Sequence, residues 1–282
     1  MMAEDDENTF DDILRETDFN NSSYDLELIN IPKIDYDPKT PIEHINGNFK
    51  NLEKYFKVGH LNFRSLNKNF IEFKHIMDNT EFDAFAGSET WLTKNTPKSR
   101  YILENFNIFR SDRVNKRGGG LCIFVRSHYN ARKITIPVHD KAKDLIEMLW
   151  VEISTKKAKI AIGVLYRPPK IPYLAFEKIF DSLIYVYSRY QHTILLGDFN
   201  VNMLQDNSPE VRALNNHIIE PFDLVQLIKC PTRITETSST LIDLILVSRE
   251  ENFLFSGACD APVVSDHHFT YLAYNIKKEK KT

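Results

Sequence analysis

The chain has 282 residues, 42% of them hydrophobic with 12 Tyr and 19 Phe, enough apolar material for a sizeable core and, at this length, for a single layered α/β domain. Its net charge of -3 hides an asymmetry: residues 1–37 hold 12 acidic against two basic side chains, about -10, and the remainder carries about +7, a balance that favours a polyanionic partner. Cys122, Cys230 and Cys259 are odd in number and widely spaced, which excludes a disulfide framework or zinc knuckle; no secretory leader or membrane-length apolar run is present, so a soluble intracellular protein is expected.

Residues 1–55 are acidic and Asn-rich, with Pro32, Pro38 and Pro41 interrupting any long element, and read as an arm outside the folded body. From residue 56 to 276 the texture changes to short apolar runs between turn residues, and residues 277–282 form a basic tail. The runs predict strands at VGHLN, FDAFAGSE, GLCIFVRS, IEMLWVEIS, KIAIGVLY, TILLGDFN, LIDLILVS and HFTYLAY. Two helices interrupt them. Phe70, Phe73, Ile76 and Met77 share a face after Asn67, a candidate N-cap. Pro172 opens the second, with Phe176, Ile179, Phe180 and Leu183 at helical spacing.

Several runs finish on a residue that can bind metal or phosphate: Asn62, Glu89, Tyr166, Asp198 with Asn200, and Asp266–His267 just before the last run. Strand ends along one sheet edge are a usual place for active sites. One Glu among Asp and Asn offers hard oxygen ligands suited to Mg²⁺, with Mn²⁺ as a substitute, and a single His suggests a base or phosphate donor rather than a zinc cage. Taken singly, each has a plain structural reading. GDFN makes a turn, SDHH a helix cap or surface loop, and YRPP a strand stop; Arg117-Gly118-Gly119-Gly120 serves as a flexible lead into a strand as readily as a phosphate nest.

Together, LNFRSL, SETWL, RGGGLCIFVR, YRPP, GDFN, TLIDLILVS and SDHH resemble the endonuclease/exonuclease/phosphatase superfamily, and within it the apurinic-type endonuclease domain of LINE-type retrotransposons. The resemblance spans about residues 57–275 and implies a four-layer α/β sandwich, two mixed β-sheets flanked by helices. It implies that Glu89, Asn62 and Asp266 hold the metal, that Asp198 activates water, and that Asn200 holds the phosphate. His267 would stabilise charge on the phosphate, Asp243 would fix its tautomer, and Tyr166 would contact the phosphate or leaving oxygen. Arg117, Arg167, Ser239 and Thr240 are the candidate substrate-binding residues.

The implied activity is Mg²⁺-dependent nicking of double-stranded DNA to leave a 3′-hydroxyl, with the nucleus as site of action and a reverse-transcriptase region outside this chain as partner. An apurinic repair enzyme, a phosphatase of the same superfamily and a non-catalytic DNA-binding remnant are the alternatives. Repair enzymes carry an acid where Arg64 stands and an aromatic where Ser239, Thr240 and Leu241 stand, which turns the expectation away from abasic DNA.

Overall fold

A computed structural model describes residues 40–114, 118–137 and 145–278. Helix α1 (Pro41–Phe49) precedes strand β1 (Tyr55–Asn62), helix α2 (Phe70–Asp78) and strands β2 (Ala84–Ser88), β3 (Phe106–Ser111), β4 (Leu121–Arg126) and β5 (Asn130–Lys133). Strands β6 (Glu147–Ser154) and β7 (Lys159–Tyr166) lead to helix α3 (Phe180–Tyr187), β8 (His192–Asp198) and helix α4 (Pro209–Leu214). The chain continues through β9 (Val225–Gln226), β10 (Arg233–Ile234), β11 (Ser239–Thr240), β12 (Asp243–Val247), β13 (Phe253–Cys259) and β14 (Phe269–Lys277).

The strands form two six-stranded sheets, ordered β13-β14-β1-β2-β4-β3 and β5-β6-β7-β8-β12-β9, and β10 with β11 makes a separate small hairpin. Both sheets are mixed: β1 with β2 and β7 with β8 run parallel, and their other pairings are antiparallel. Side chains alternate across each strand with period two. Val58, Ala84, Ala86 and Ile123 of the first sheet therefore share a core with Val151, Ile162, Ile194 and Ile245 of the second. Their neighbours Leu61, Phe85 and Phe124 point to the opposite face, where they meet Ile45 and Phe49 of α1 and Phe73 and Met77 of α2. Phe73 sits there with its ring 4.8 Å from that of Phe63 and 5.1 Å from that of Phe85, so truncating it to Ala costs about 3–5 kcal/mol. The two-sheet, helix-flanked fold expected from the resemblance is the one observed.

Some boundaries differ. Thr40 and Glu43 form a reciprocal capping box that starts α1, and Ile45 and Phe49 are buried, so residues 40–55 belong to the folded unit beginning at Lys39 and not to an arm. The rest of that expected arm lies outside the described residues. Helix α2 starts after Asn69; Asn67 instead accepts the Tyr101 hydroxyl at 3.0 Å, so it is no cap. Pro172 begins a 3₁₀ turn over Tyr173–Ile179, and the α-helix proper starts at Phe180. Strand β14 takes in Lys277, the first residue assigned to the basic tail. No described helix is long and apolar enough to cross a membrane.

Candidate active site

Sheet register brings the polar strand ends together. Asn62 and Ser88 are paired at the end of the parallel β1–β2 ladder, and Tyr166 and Asp198 at the end of β7–β8. Asp243, the first residue of antiparallel β12, lies directly opposite Asp198. Beyond the strands the backbone ladder continues: Phe63, Ser65 and Leu66 donate to the carbonyls of Ser88, Glu89 and Thr90. These loops hold left-handed conformations at non-glycine residues, with φ of 46° at Arg64, 50° at Glu89, 55° at Trp91 and 48° at Asn200. Such backbones cost about 1 kcal/mol or more apiece and persist where surrounding bonds over-determine them.

Asn62 is the hub. Its fully buried amide donates from Nδ2 to Glu89 Oε1 at 3.0 Å and to Asp198 Oδ2 at 2.8 Å, while Oδ1 accepts from the Arg64 backbone. Glu89 Oε2 accepts the Trp91 indole at 3.0 Å, and the Tyr166 hydroxyl also bonds to this carboxylate. Burial, together with the charges of Glu89 and Asp198, pushes the Tyr166 phenol well above its ordinary pKa, so it stays protonated. Arg113 covers the Tyr166 ring at 5.5 Å and pairs with Glu147, which also accepts the backbone N–H of Gly120.

The glycine run has its own task here. The Gly119 and Gly120 carbonyls accept from Trp91 and Thr90, and a Cβ on Gly119 would lie 2.3 Å from the Arg113 guanidinium carbon at a φ of +66°. It braces the SETWL loop; Arg117 lies outside the described residues.

On the second sheet, burial and the Asp243 charge push Asp198 up to about pKa 7. Burial alone would lower His267, but Asp243, 2.8 Å from Nδ1, outweighs it and the imidazole is pushed up to about 9. Ser265 ties this loop to β1: its hydroxyl donates to the Asn62 carbonyl at 2.6 Å and accepts the His267 N–H at 3.2 Å. Asp198, Asp243 and His267 present ligand atoms all within 4.8 Å of one another.

Other expected residues are deployed differently. Arg167 is buried, and its guanidinium donates to the backbone carbonyls of Phe199, Ile171 and Asn200, so it clamps the GDFN loop and is not left free for substrate. Asn200 returns a bond from Nδ2 to the Arg167 carbonyl at 2.8 Å. Asp266 Oδ2 accepts Arg64 at 2.7 Å and Arg233 at 3.0 Å, which keeps its acidity high; Oδ1, buried with no hydrogen-bond partner among the described residues, is left over for a cation. Ser239 and Thr240 form β11; Thr240 bonds the carbonyl of Arg233 and accepts the Thr232 N–H, so they reach the centre through those two residues rather than directly.

His60 was not foreseen. It is fully buried two residues before Asn62, between Ser88 and Asp243, and burial lowers its pKa to about 4. The period of two was the available signal, since it puts His60 on the same face of β1 as Asn62.

The two-sheet, helix-flanked sandwich is the fold shared by the solved endonuclease/exonuclease/phosphatase proteins to which the chain is similar. Residues 160–271 match the family model described as endonuclease-reverse transcriptase. The endonuclease domain of TRAS1, a telomere-specific non-LTR retrotransposon, superposes with a TM-score of 0.63 at 15% identity, over 79% of this chain and 100% of that one. A 3′ phosphatase, NExo from Neisseria, bound to product DNA hairpin, gives 0.61 at 16%, over 78% and 99%. An AP endonuclease from Archaeoglobus fulgidus gives 0.61 at 13%, over 78% and 100%. No curated protein matches by sequence.

Proposed function

We propose that the chain is a Mg²⁺-dependent endonuclease that nicks one strand of intact duplex DNA and leaves a 3′-hydroxyl able to prime reverse transcription. The observation that carries this reading is the gathering of Glu89, Asn62, Asp198, Asp243 and His267 at one end of both sheets. The donor set fits a hard divalent cation. Glu89 has no cationic partner among the described residues, Asp198 and Asp243 face each other as buried carboxylates, and Asp266 Oδ1 is buried with no hydrogen-bond partner among the described residues. Glu89 and Asn62 would hold the ion, whose charge would offset that developing on the phosphate.

The chain's own groups supply the rest. Asp198, with a pKa near neutrality, accepts the proton of the attacking water. His267 carries a proton at neutral pH; with Nδ1 on Asp243, its Nε2–H is the donor to a phosphate oxygen. The protonated Tyr166 hydroxyl, held in place by Arg113 over its ring, donates to Glu89 and orients that carboxylate; with Glu89 on the ion it would be a second donor to the phosphate. Asn200, fixed in its left-handed turn by Arg167, would offer its remaining amide N–H to the phosphate.

Intact rather than abasic DNA is the favoured substrate because Leu241 is buried in the core while Ser239 and Thr240 are small, so this segment offers no aromatic surface for a missing base. The test uses end-labelled duplexes of one sequence, with and without an abasic analogue. Nicking of both at comparable rates, with products extended by a polymerase, supports the reading. Cleavage of the abasic strand a hundredfold faster would assign the protein to repair.

A further inference from the structure

One buried group near the centre has no part in the scheme above. His60 lies with its side chain fully buried, its Nε2 3.1 Å from the Ser88 hydroxyl and its Nδ1 3.9 Å from Asp243 Oδ1. Among the described residues, neither His60 Nδ1 nor Asp243 Oδ1, both buried, has a hydrogen-bond partner, and they face each other. A buried donor or acceptor left unmatched is costly, so two that face each other are a contact waiting to close by about 1 Å.

The chemistry fixes which way the proton points. A carboxylate oxygen only accepts, whereas a serine hydroxyl can either donate or accept. The imidazole must therefore carry its proton on Nδ1, toward Asp243, and take the Ser88 hydroxyl proton on Nε2. Asp243 Oδ2 is already engaged by His267 Nδ1 at 2.8 Å. The carboxylate thus stands between two imidazoles, one on each oxygen, and cannot rotate without breaking one contact or the other.

We propose that His60 is a positioning residue that acts through Asp243: by donating from Nδ1 to Oδ1 it locks the carboxylate plane, and so the orientation of His267. Ser88 extends the chain of bonds one step further, to the end of β2 beside Glu89. His60 touches neither substrate nor ion in this scheme. The inference rests on the nuclease reading for its kinetic consequence, but not for the contact itself.

Two measurements separate those parts. In the first, ¹⁵N NMR of imidazole-labelled, metal-free protein at pH 7.5 is expected to show His60 as the Nδ1–H tautomer, with its resonances displaced in Asp243→Asn. An Nε2–H tautomer indifferent to Asp243→Asn overturns the proposal, whether or not the protein cleaves DNA. In the second, plasmid nicking is followed in Mg²⁺. His60→Phe is expected to lower kcat about ten- to a hundredfold with KM changed much less, the range usual for groups that orient a catalytic side chain.

His60→Asn, whose amide places a donor where Nδ1 stood, is expected to recover part of that loss. His60→Phe added to Asp243→Asn is expected to cost little beyond Asp243→Asn alone, because both break the same chain. Should His60→Phe not fold, His60→Gln serves in its place, since its longer amide reaches toward Ser88 and not toward Asp243. Multiplicative losses in the double variant, or equal losses in the Asn and Phe (or Gln) variants, mark His60 as core packing alone and overturn the proposal. If the wild-type protein does not nick DNA at all, the nuclease reading fails and the NMR result still decides the contact.

Discussion

Asp198 and His267 place opposite demands on a small buried volume, and their titration is a measurable property of the fold. The folded chain binds the His267 proton more tightly than the unfolded chain does, with a pKa of about 9 against the ordinary imidazole value of 6.5. Its stabilising contribution, on the order of 3 kcal/mol, is therefore complete below the unfolded value and is lost as pH rises through about 9. Asp198, pushed up to about 7, works in the same direction until it ionises. His60, lowered to about 4, is neutral in both states above the ordinary imidazole value of 6.5 and does not contribute there. Thermal unfolding in EDTA is expected to show Tm falling steadily between pH 6.5 and 9, with His267→Gln removing much of the slope. A flat wild-type profile would show that the imidazole is not held by Asp243. At this scale the sequence was legible where chemistry sat on a recognisable turn, as at GDFN and SDHH, and silent where a side chain acts from inside a strand. His60 and Glu147 lie within apolar runs, and only the register of neighbouring strands reveals what they face.

Among the elements, the eight strands read from apolar runs are all present, because a buried run of branched and aromatic residues has few alternatives to a sheet. The missed strands explain themselves. β3 (FNIFRS) and β13 (FLFSGAC) are half-exposed edge strands at opposite ends of the first sheet, β5 (NARK) is a short, largely exposed edge strand of the second, and β9, β10 and β11 are two-residue pairings that exist only through tertiary contact. Arg167 is the clearest reversal. A cation beside YRPP looked like a phosphate ligand, yet three backbone carbonyls and the Phe176 ring, 5.6 Å away, claim its guanidinium. Arg167→Ala is expected to leave those carbonyls unmatched, destabilising the fold by on the order of 2–3 kcal/mol and lowering kcat through a loosened Asn200 turn. A rise in KM with Tm unchanged would restore the substrate-binding role instead.

For the whole molecule, the folded unit from Lys39 sets the limits of truncation. Removing residues 1–39 is expected to preserve the cooperative unfolding transition and to strengthen DNA attraction, since that segment holds most of the acidic surplus. Removing residues 1–55 also deletes Ile45 and Phe49 from beneath the first sheet, with an expected loss of about 3–6 kcal/mol. Equal stability of the two truncations would detach α1 from the core. The basic balance of the body further predicts that DNA cleavage weakens steeply as salt rises. All of this depends on the strand-end cluster being a metal-assisted phosphodiesterase, and nicking of supercoiled plasmid tests that most directly. Relaxation of the plasmid in Mg²⁺, abolished by EDTA and lowered by at least about a hundredfold in folded Glu89→Ala and His267→Ala, is the predicted result. Nicking that persists undiminished in His267→Ala, or its complete absence from the folded wild-type protein in Mg²⁺ and Mn²⁺, would contradict the account.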